Sequence, residues 1–252
     1  MTGLEQSLRR VVSAPVLLVA SDFDGTLSPI VSDPSMAAPL EEATAALAAL
    51  ADLPATHVAV VSGRALADLG ARAGMPSHVH LIGGHGAELA GWPDEGLTPG
   101  QAARRQSILA ALDAFAARAS GFVVEPKPRS VAFHYRNAEP AAADLAVREV
   151  RELAAGLGDV IVREGKMVVE LAVTEGDKGA AIRRLARSIG ADSIIYVGDD
   201  VTDEDAFAVL GGNDLGIKVG PGPTRAGQRV DDPAAVADLL RCILELRASR
   251  PG

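Results

Sequence analysis

Short apolar runs that stop abruptly and alternate with helical patterns leave a chain few folds to choose from. Residues 16–20, 58–61, 79–82 and 194–197 are such runs, nearly all Val, Leu, Ile and Ala. Helical periodicities at 39–52, 65–73, 178–189 and 203–210 separate them. An apolar run without alternation is what a strand covered on both faces requires. The βαβα order predicts an α/β fold with a parallel sheet and helices on both of its faces.

Two breaks interrupt the rhythm: Gly91-Trp92-Pro93-Asp94-Glu95-Gly96 with Pro99-Gly100, and Thr174-Glu175-Gly176-Asp177. Both read as hinges. Between them the pattern changes to a helix at 102–118, strands at 122–126 and 130–135, a helix at 139–155, and strands at 160–164 and 166–171. This order predicts an inserted α+β domain of about seventy residues with an antiparallel sheet. The expected division is a first part of the core at 1–100, the insertion at 101–173, and the rest of the core at 174–252, ending in a helix at 233–247.

The 252 residues carry 24 basic and 33 acidic side chains, a net charge of −9. That balance disfavours nucleic acid as a partner, and a phosphate would need local cations to overcome the field. No apolar run reaches the ~20 residues that span a bilayer, and Met1 to Val12 lacks a leader pattern. The single cysteine, Cys242, excludes an intrachain disulfide. A soluble, cytoplasmic, monomeric protein is the expectation.

Ser21-Asp22-Phe23-Asp24-Gly25-Thr26 follows the first apolar run, placing two aspartates at the end of a strand, where open α/β sheets assemble their sites. A carboxylate can attack phosphorus, and a second carboxyl nearby can protonate the leaving alcohol and then activate water; Asp22 and Asp24 suit these roles. Taken alone, the hexapeptide also fits a simple Asp-Gly turn. A second acidic cluster, Asp199-Asp200-Val201-Thr202-Asp203-Glu204-Asp205, follows the last of the four runs. It suits either Mg²⁺ coordination, with Asp199 as ligand and Asp203 touching or supporting the metal, or a solvated helix start. Ser62 in Val61-Ser62-Gly63-Arg64 stands before a helix, as a phosphate anchor among free N–H groups or as a plain N-cap. Lys178 opens a helix whose dipole disfavours a cation there, so either it pairs with Asp22 and phosphate or it is a surface lysine.

With Asp22-x-Asp24-Gly25-Thr26, Ser62-Gly63-Arg64, Lys178-Gly179 and Gly198-Asp199-Asp200-x-Thr202-Asp203 in this order, the chain resembles the haloacid dehalogenase superfamily. The resemblance implies a Rossmann-like core, an Asp22 nucleophile and Asp24 as general acid and base. It also implies Ser62 and Lys178 on the phosphate, and Mg²⁺ on Asp22, Asp199 and the Asp24 carbonyl, with Asp203 beside it. Gly83-Gly84-His85-Gly86-Ala87-Glu88, Lys127-x-x-Ser130, His134-Tyr135-Arg136 and Gly165-Lys166 with Glu170-Leu171 are similar to the trehalose-6-phosphate phosphatases. That likeness implies a mobile cap and hydrolysis of trehalose 6-phosphate in trehalose biosynthesis. It makes Arg64, His85, Lys127, His134, Arg136, Lys166 and Glu170 candidate substrate contacts. For the residues of the insertion, cross-strand ion pairing is the competing explanation. Sucrose phosphate or glucosylglycerol phosphate as substrate, or a catalytically silent sugar-phosphate sensor, are the alternatives.

Overall fold

The computed structural model describes residues 3–91, 97–165, 167–174 and 176–250. Trp92 to Gly96, Lys166 and Glu175 lie outside them, which removes most of the first expected hinge, part of the second and one expected sugar contact from the description. The chain divides into two compact units, Met1–Pro93 with Gly176–Gly252, and Asp94–Glu175. The insertion thus begins earlier than residue 101. Pro99-Gly100, expected in a hinge, instead forms the first turn of a helix. Pro sits at its amino end, where a missing N–H costs nothing, and Thr98 and Gln101 close a capping box.

The larger unit opens with α1 (Gly3–Val12), β1 (Leu17–Asp22), α2 (Glu41–Ala51), β2 (Thr56–Val61), α3 (Leu66–Ala73), β3 (His80–Gly83) and β4 (Glu88–Leu89). The insertion contributes α4 (Pro99–Ala116), β5 (Val123–Pro126), β6 (Ser130–His134), α5 (Pro140–Leu157), β7 (Ile161–Gly165) and β8 (Val168–Ala172). The larger unit resumes with α6 (Lys178–Ile189), β9 (Ser193–Gly198), α7 (Asp203–Ala208), β10 (Leu215–Val219), β11 (Gln228–Val230) and α8 (Pro233–Ala248). No described helix is long and apolar enough to cross a membrane.

Strand order in the larger sheet is β11-β10-β9-β1-β2-β3-β4, parallel except for the short β3–β4 hairpin. Successive residues of each strand feed opposite cores. Leu17, Val19, Val58, Val60, Ile195 and Val197 pack with α1, α2, α3 and α8. Leu18, Ala20, Ala59, Val61, Ile194 and Tyr196 pack with α6 and α7. Burial on both faces is why these strands read as unbroken apolar runs. The chain leaves β1 towards β2 on one side and returns through β9 on the other, so the switch in strand order falls at β1, whose last residue is Asp22.

In the smaller unit, β5-β6-β8-β7 form an antiparallel sheet. Ile108 and Leu112 of α4 and Val150 and Ala154 of α5 pack with Val131, Phe133, Val169 and Leu171. The alternating residues Ala132 and Glu170 pair in register, flanked by Glu125 and Arg163. A polar row therefore crosses the other face of this sheet.

One buried cation ties the ends of the larger unit together. Arg247 of α8 donates to Thr56 Oγ1 and to the carbonyls of Val12, Ala14, Pro15 and Ala55. Arg247→Met keeps most of the volume and strands these acceptors, so it should destabilise the unit by about 3 kcal/mol. A fall in urea midpoint checks this. Arg241→Ala, on the exposed side of α8, should shift the midpoint by less than about 0.5 kcal/mol.

Candidate active site

Asp22 closes β1, and the chain turns at once: Leu27 and Ser28 N–H both donate to Phe23 O, and Gly25 N–H donates to Ser28 O at 2.7 Å. Gly25 has φ +89°, where side chains are strained. A Cβ there would also lie 2.1 Å from Asp199 Oδ2. The Asp-Gly turn and the catalytic reading are therefore one feature, because the missing side chain is what admits the Asp199 carboxylate beside the turn.

Lys178, fully buried at the start of α6, donates to Asp22 Oδ1 at 2.6 Å and Asp203 Oδ1 at 2.7 Å. This accounts for a cation at a helix end that disfavours it: two carboxylates outweigh the dipole. Asp177, just before it, caps the helix by accepting from Ala180 N–H. Burial alone would lower the Lys178 pKa, yet Asp203 and Asp22 hold it above the usual lysine value.

Asp203 accepts from two further protein donors: Tyr196 O–H also reaches Oδ1 at 2.7 Å, and Asp200 N–H reaches Oδ2 at 2.8 Å. These bonds tie it to Lys178 and to the 199–200 turn. Oxygens of Asp22, Asp199 and Asp203 lie within 4.8 Å of one another. Burial pushes the Asp22 carboxyl well up; Lys178 opposes this, while Asp203 and Asp199 add to it. The Lys178 ammonium faces two of these three clustered carboxylates. An all-oxygen donor set of this kind suits a hard divalent cation.

Lys218, at the carboxyl end of β10 and 5% exposed, donates to the carbonyl of Asp199 and, at 3.5 Å, to that of Asp200. Neither Lys218 nor Tyr196 was picked out from the sequence. Both leave a trace there, as a lysine in Leu215-Gly216-Ile217-Lys218-Val219 and a tyrosine amid aliphatic residues, since polar groups in buried strands need partners.

Ser62 follows β2 and is 1% exposed; its Oγ accepts from Arg64 N–H at 3.1 Å. The expected open helix terminus beyond it is differently arranged. α3 starts at Leu66, whose N–H is taken by Glu88 Oε2 at 3.0 Å, so a carboxylate already occupies that end. His85, at φ +54°, donates its N–H to Ser62 O, and its ring covers Gly63, where a Cβ would lie 2.4 Å from the imidazole. Arg64, expected to meet substrate, is engaged here with carboxylates of the protein. Its Nε and Nη2 grip both oxygens of Asp24 at 2.7 Å, Nη1 reaches Asp68, and Nη2 also donates to Pro34 O. The Asp24 side chain is thus held by Arg64 and takes no part in the acidic group.

Within the insertion, Glu170 is 7% exposed and accepts from Lys127 Nζ at 2.7 Å and Ser130 Oγ at 2.6 Å. His134 Nε2 meets Glu125 Oε2 at 2.8 Å, and Arg136 lies in the turn after β6. Four of the residues expected to meet a sugar therefore lie on or just beyond β5, β6 and β8, and the cross-strand pairing weighed against that role is present too.

A family model described as trehalose-phosphatase matches residues 20–233. The chain is 40% identical over 242 residues to the trehalose-phosphate phosphatase of Mycobacterium avium, taking in 86% of this chain and 59% of that one. It is 38% identical over 230 residues to the bifunctional trehalose-6-phosphate synthase/phosphatase of Thermoproteus tenax, with 88% of this chain and 31% of that one covered. The chain thus spans less than two thirds of the length of these relatives. The C-terminal domain of Candida albicans trehalose-6-phosphate phosphatase has the same fold, with a TM-score of 0.83, 24% identity and coverage of 97% and 98%. The matched span runs from β1 to the start of α8 and contains every element that positions Asp22, Lys178 and Asp199, and so the chain belongs to the trehalose-phosphatase family.

Proposed function

We infer that the chain hydrolyses trehalose 6-phosphate to trehalose and phosphate through an aspartyl-phosphate on Asp22. The observation that carries this reading is Lys178, buried against both Asp22 and Asp203 at the carboxyl end of β1. Family membership and the names of the M. avium and T. tenax relatives support the substrate.

In the first step an Asp22 oxygen forms a bond to phosphorus as the bond from phosphorus to the sugar oxygen breaks. Asp24 gives a proton to that departing oxygen. Lys178 holds Asp22 in line, and Ser62 anchors a phosphoryl oxygen. Asp24 then takes a proton from the water that attacks the aspartyl-phosphate, returning Asp22 to its carboxylate. Asp22, Asp199 and the Asp24 carbonyl would hold Mg²⁺, which when bound offsets charge on the phosphoryl oxygens. Lys127, His134, Arg136, Lys166 and Glu170 of the insertion would meet sugar hydroxyls.

Asp22→Asn should abolish release of phosphate from trehalose 6-phosphate; substantial turnover would remove Asp22 as nucleophile. A panel including sucrose phosphate and glucosylglycerol phosphate, compared by kcat/KM, should single out trehalose 6-phosphate, and a flat profile would sink that choice. Binding across the panel without phosphate release would mark a sensor. Mg²⁺ should raise the melting temperature of the wild type and much less that of Asp199→Asn, while EDTA should stop turnover. Glu170→Gln should raise KM for trehalose 6-phosphate by about tenfold with a smaller change in kcat, since it weakens binding that is the same before and during the reaction.

A further inference from the structure

Lys218 is a buried cation with no task in either phosphoryl step. It is 5% exposed, near the end of β10, and pairs in register with Gly198, the last residue of β9. A buried ammonium is costly unless its protons are used, and a carboxylate is the usual partner. Lys218 turns to backbone instead: Nζ donates to Asp199 O and, at 3.5 Å, to Asp200 O. Asp200 O also accepts from Asp203 N–H at 3.2 Å, so the segment that Lys218 holds is the acidic turn leading into α7.

The Asp199–Asp200 peptide is pinned at its other end too. In a trans peptide the C=O and the following N–H point in opposite directions. With Asp199 O on Lys218, Asp200 N–H is directed away from that ammonium and donates to Asp203 Oδ2 at 2.8 Å. Asp203 is itself held: Oδ1 accepts from Lys178 and from Tyr196 O–H, each at 2.7 Å, and its Cγ packs on Gly198, where a Cβ would come within 2.3 Å of it. A planar unit gripped at both ends loses rotation about the Asp199 Cα–C bond, which sets how the Asp199 side chain stands to the rest of the turn. Hydrogen bonds thus run from Asp22 through Lys178, Asp203 and the 199–200 peptide to Lys218.

We propose that Lys218 is a positioning residue for the cation site: together with Asp203 it clamps the 199–200 peptide, so that the Asp199 carboxylate is already oriented when a divalent cation arrives. This rests on the reading of Asp199 as a Mg²⁺ ligand. Charge and clamp predict opposite signs. An ammonium repels a nearby cation, so deleting a charge that did nothing else would tighten Mg²⁺ binding. Deleting a clamp frees the ligand, and the need to order it again on binding weakens the affinity.

Mg²⁺ alone, titrated calorimetrically into the metal-free chain, gives the dissociation constant from the shape of the curve and the folded fraction from its stoichiometry. Lys218→Met should raise the dissociation constant by about tenfold, and Lys218→Gln, shorter and neutral, by about threefold or more. Hydrogen exchange without metal is the second readout: the Asp200 amide should exchange about tenfold faster in Lys218→Met, while the amides of β1 keep their wild-type rates. Arg247→Met, which weakens the same unit from α8, should leave the dissociation constant within about twofold. An unchanged or lower constant in both Lys218 variants would overturn the proposal, and so would unchanged exchange at Asp200. An equal rise in Arg247→Met would overturn it as well, since the effect would then be one of stability. Asp199→Asn is the reference and should abolish measurable binding. Wild-type affinity there would sink Asp199 as a ligand and the role of Lys218 with it, whereas loss of binding there beside unchanged Lys218 variants would sink the clamp alone.

Discussion

The ammonium of Lys178, buried between Asp22 and Asp203, is the contact on which the rest of the larger unit depends. It joins residues 156 positions apart in the chain, at the end of β1 and the start of α6. Taking an ammonium out of water costs several kcal/mol unless its partners compensate. Compensation requires α6, α7 and the central strands to be in place together. The helix pair, the strand-end carboxylates and the acidic turn are therefore fixed as one body, and loss of any partner leaves a buried charge exposed to the others' field.

Small residues make that body possible. Gly25, Gly198 and Gly179 each stand where a Cβ would strike Asp199, Asp203 or the Asp205 carbonyl at 2.1 to 2.3 Å. Close approach of carboxylates is electrostatically unfavourable, so it is enforced by packing and stabilised by donors that face inward: Lys178, Tyr196 O–H and Asp200 N–H. Lys218 holds the backbone of the acidic turn by donating to the Asp199 carbonyl.

The strands of the central sheet and the helices around them could be read from the sequence because burial on both faces leaves an apolar run and one-sided burial leaves a helical period. The short edge elements escaped this logic. β4, β11 and the amphipathic α1 lie outside the expected elements, since two or three edge residues carry no period and Met1 to Val12 holds no apolar run; β10, though central and buried, is missed as well because Gly216 and Lys218 interrupt its apolar run. At the site, residue types suggested a chemistry for Asp22 and Asp199 at strand ends and for Lys178 at a helix start whose dipole disfavours it. Partners were less legible. Arg64 stood next to an expected phosphate anchor, and nothing in its neighbours reveals that its fork turns 40 positions back to Asp24. Glu88, next to the glycines at 83, 84 and 86, closes the helix end expected to meet phosphate.

The division into two units, each with its own apolar core, would separate two demands that conflict in the proposed phosphatase. Bond-making needs groups held within fractions of an ångström, which favours the ends of buried parallel strands and their interlocked charges. Recognising one sugar among many needs a polar surface that can be altered without disturbing that lock. The row Glu125, Glu170, Arg163 lies on the four-stranded sheet, whose apolar core is its own, and under the proposed function it would serve the second demand. On that proposal, substitutions along the row would change which hydroxyls are satisfied while Lys178, Asp22 and Asp203 stay where their own core puts them.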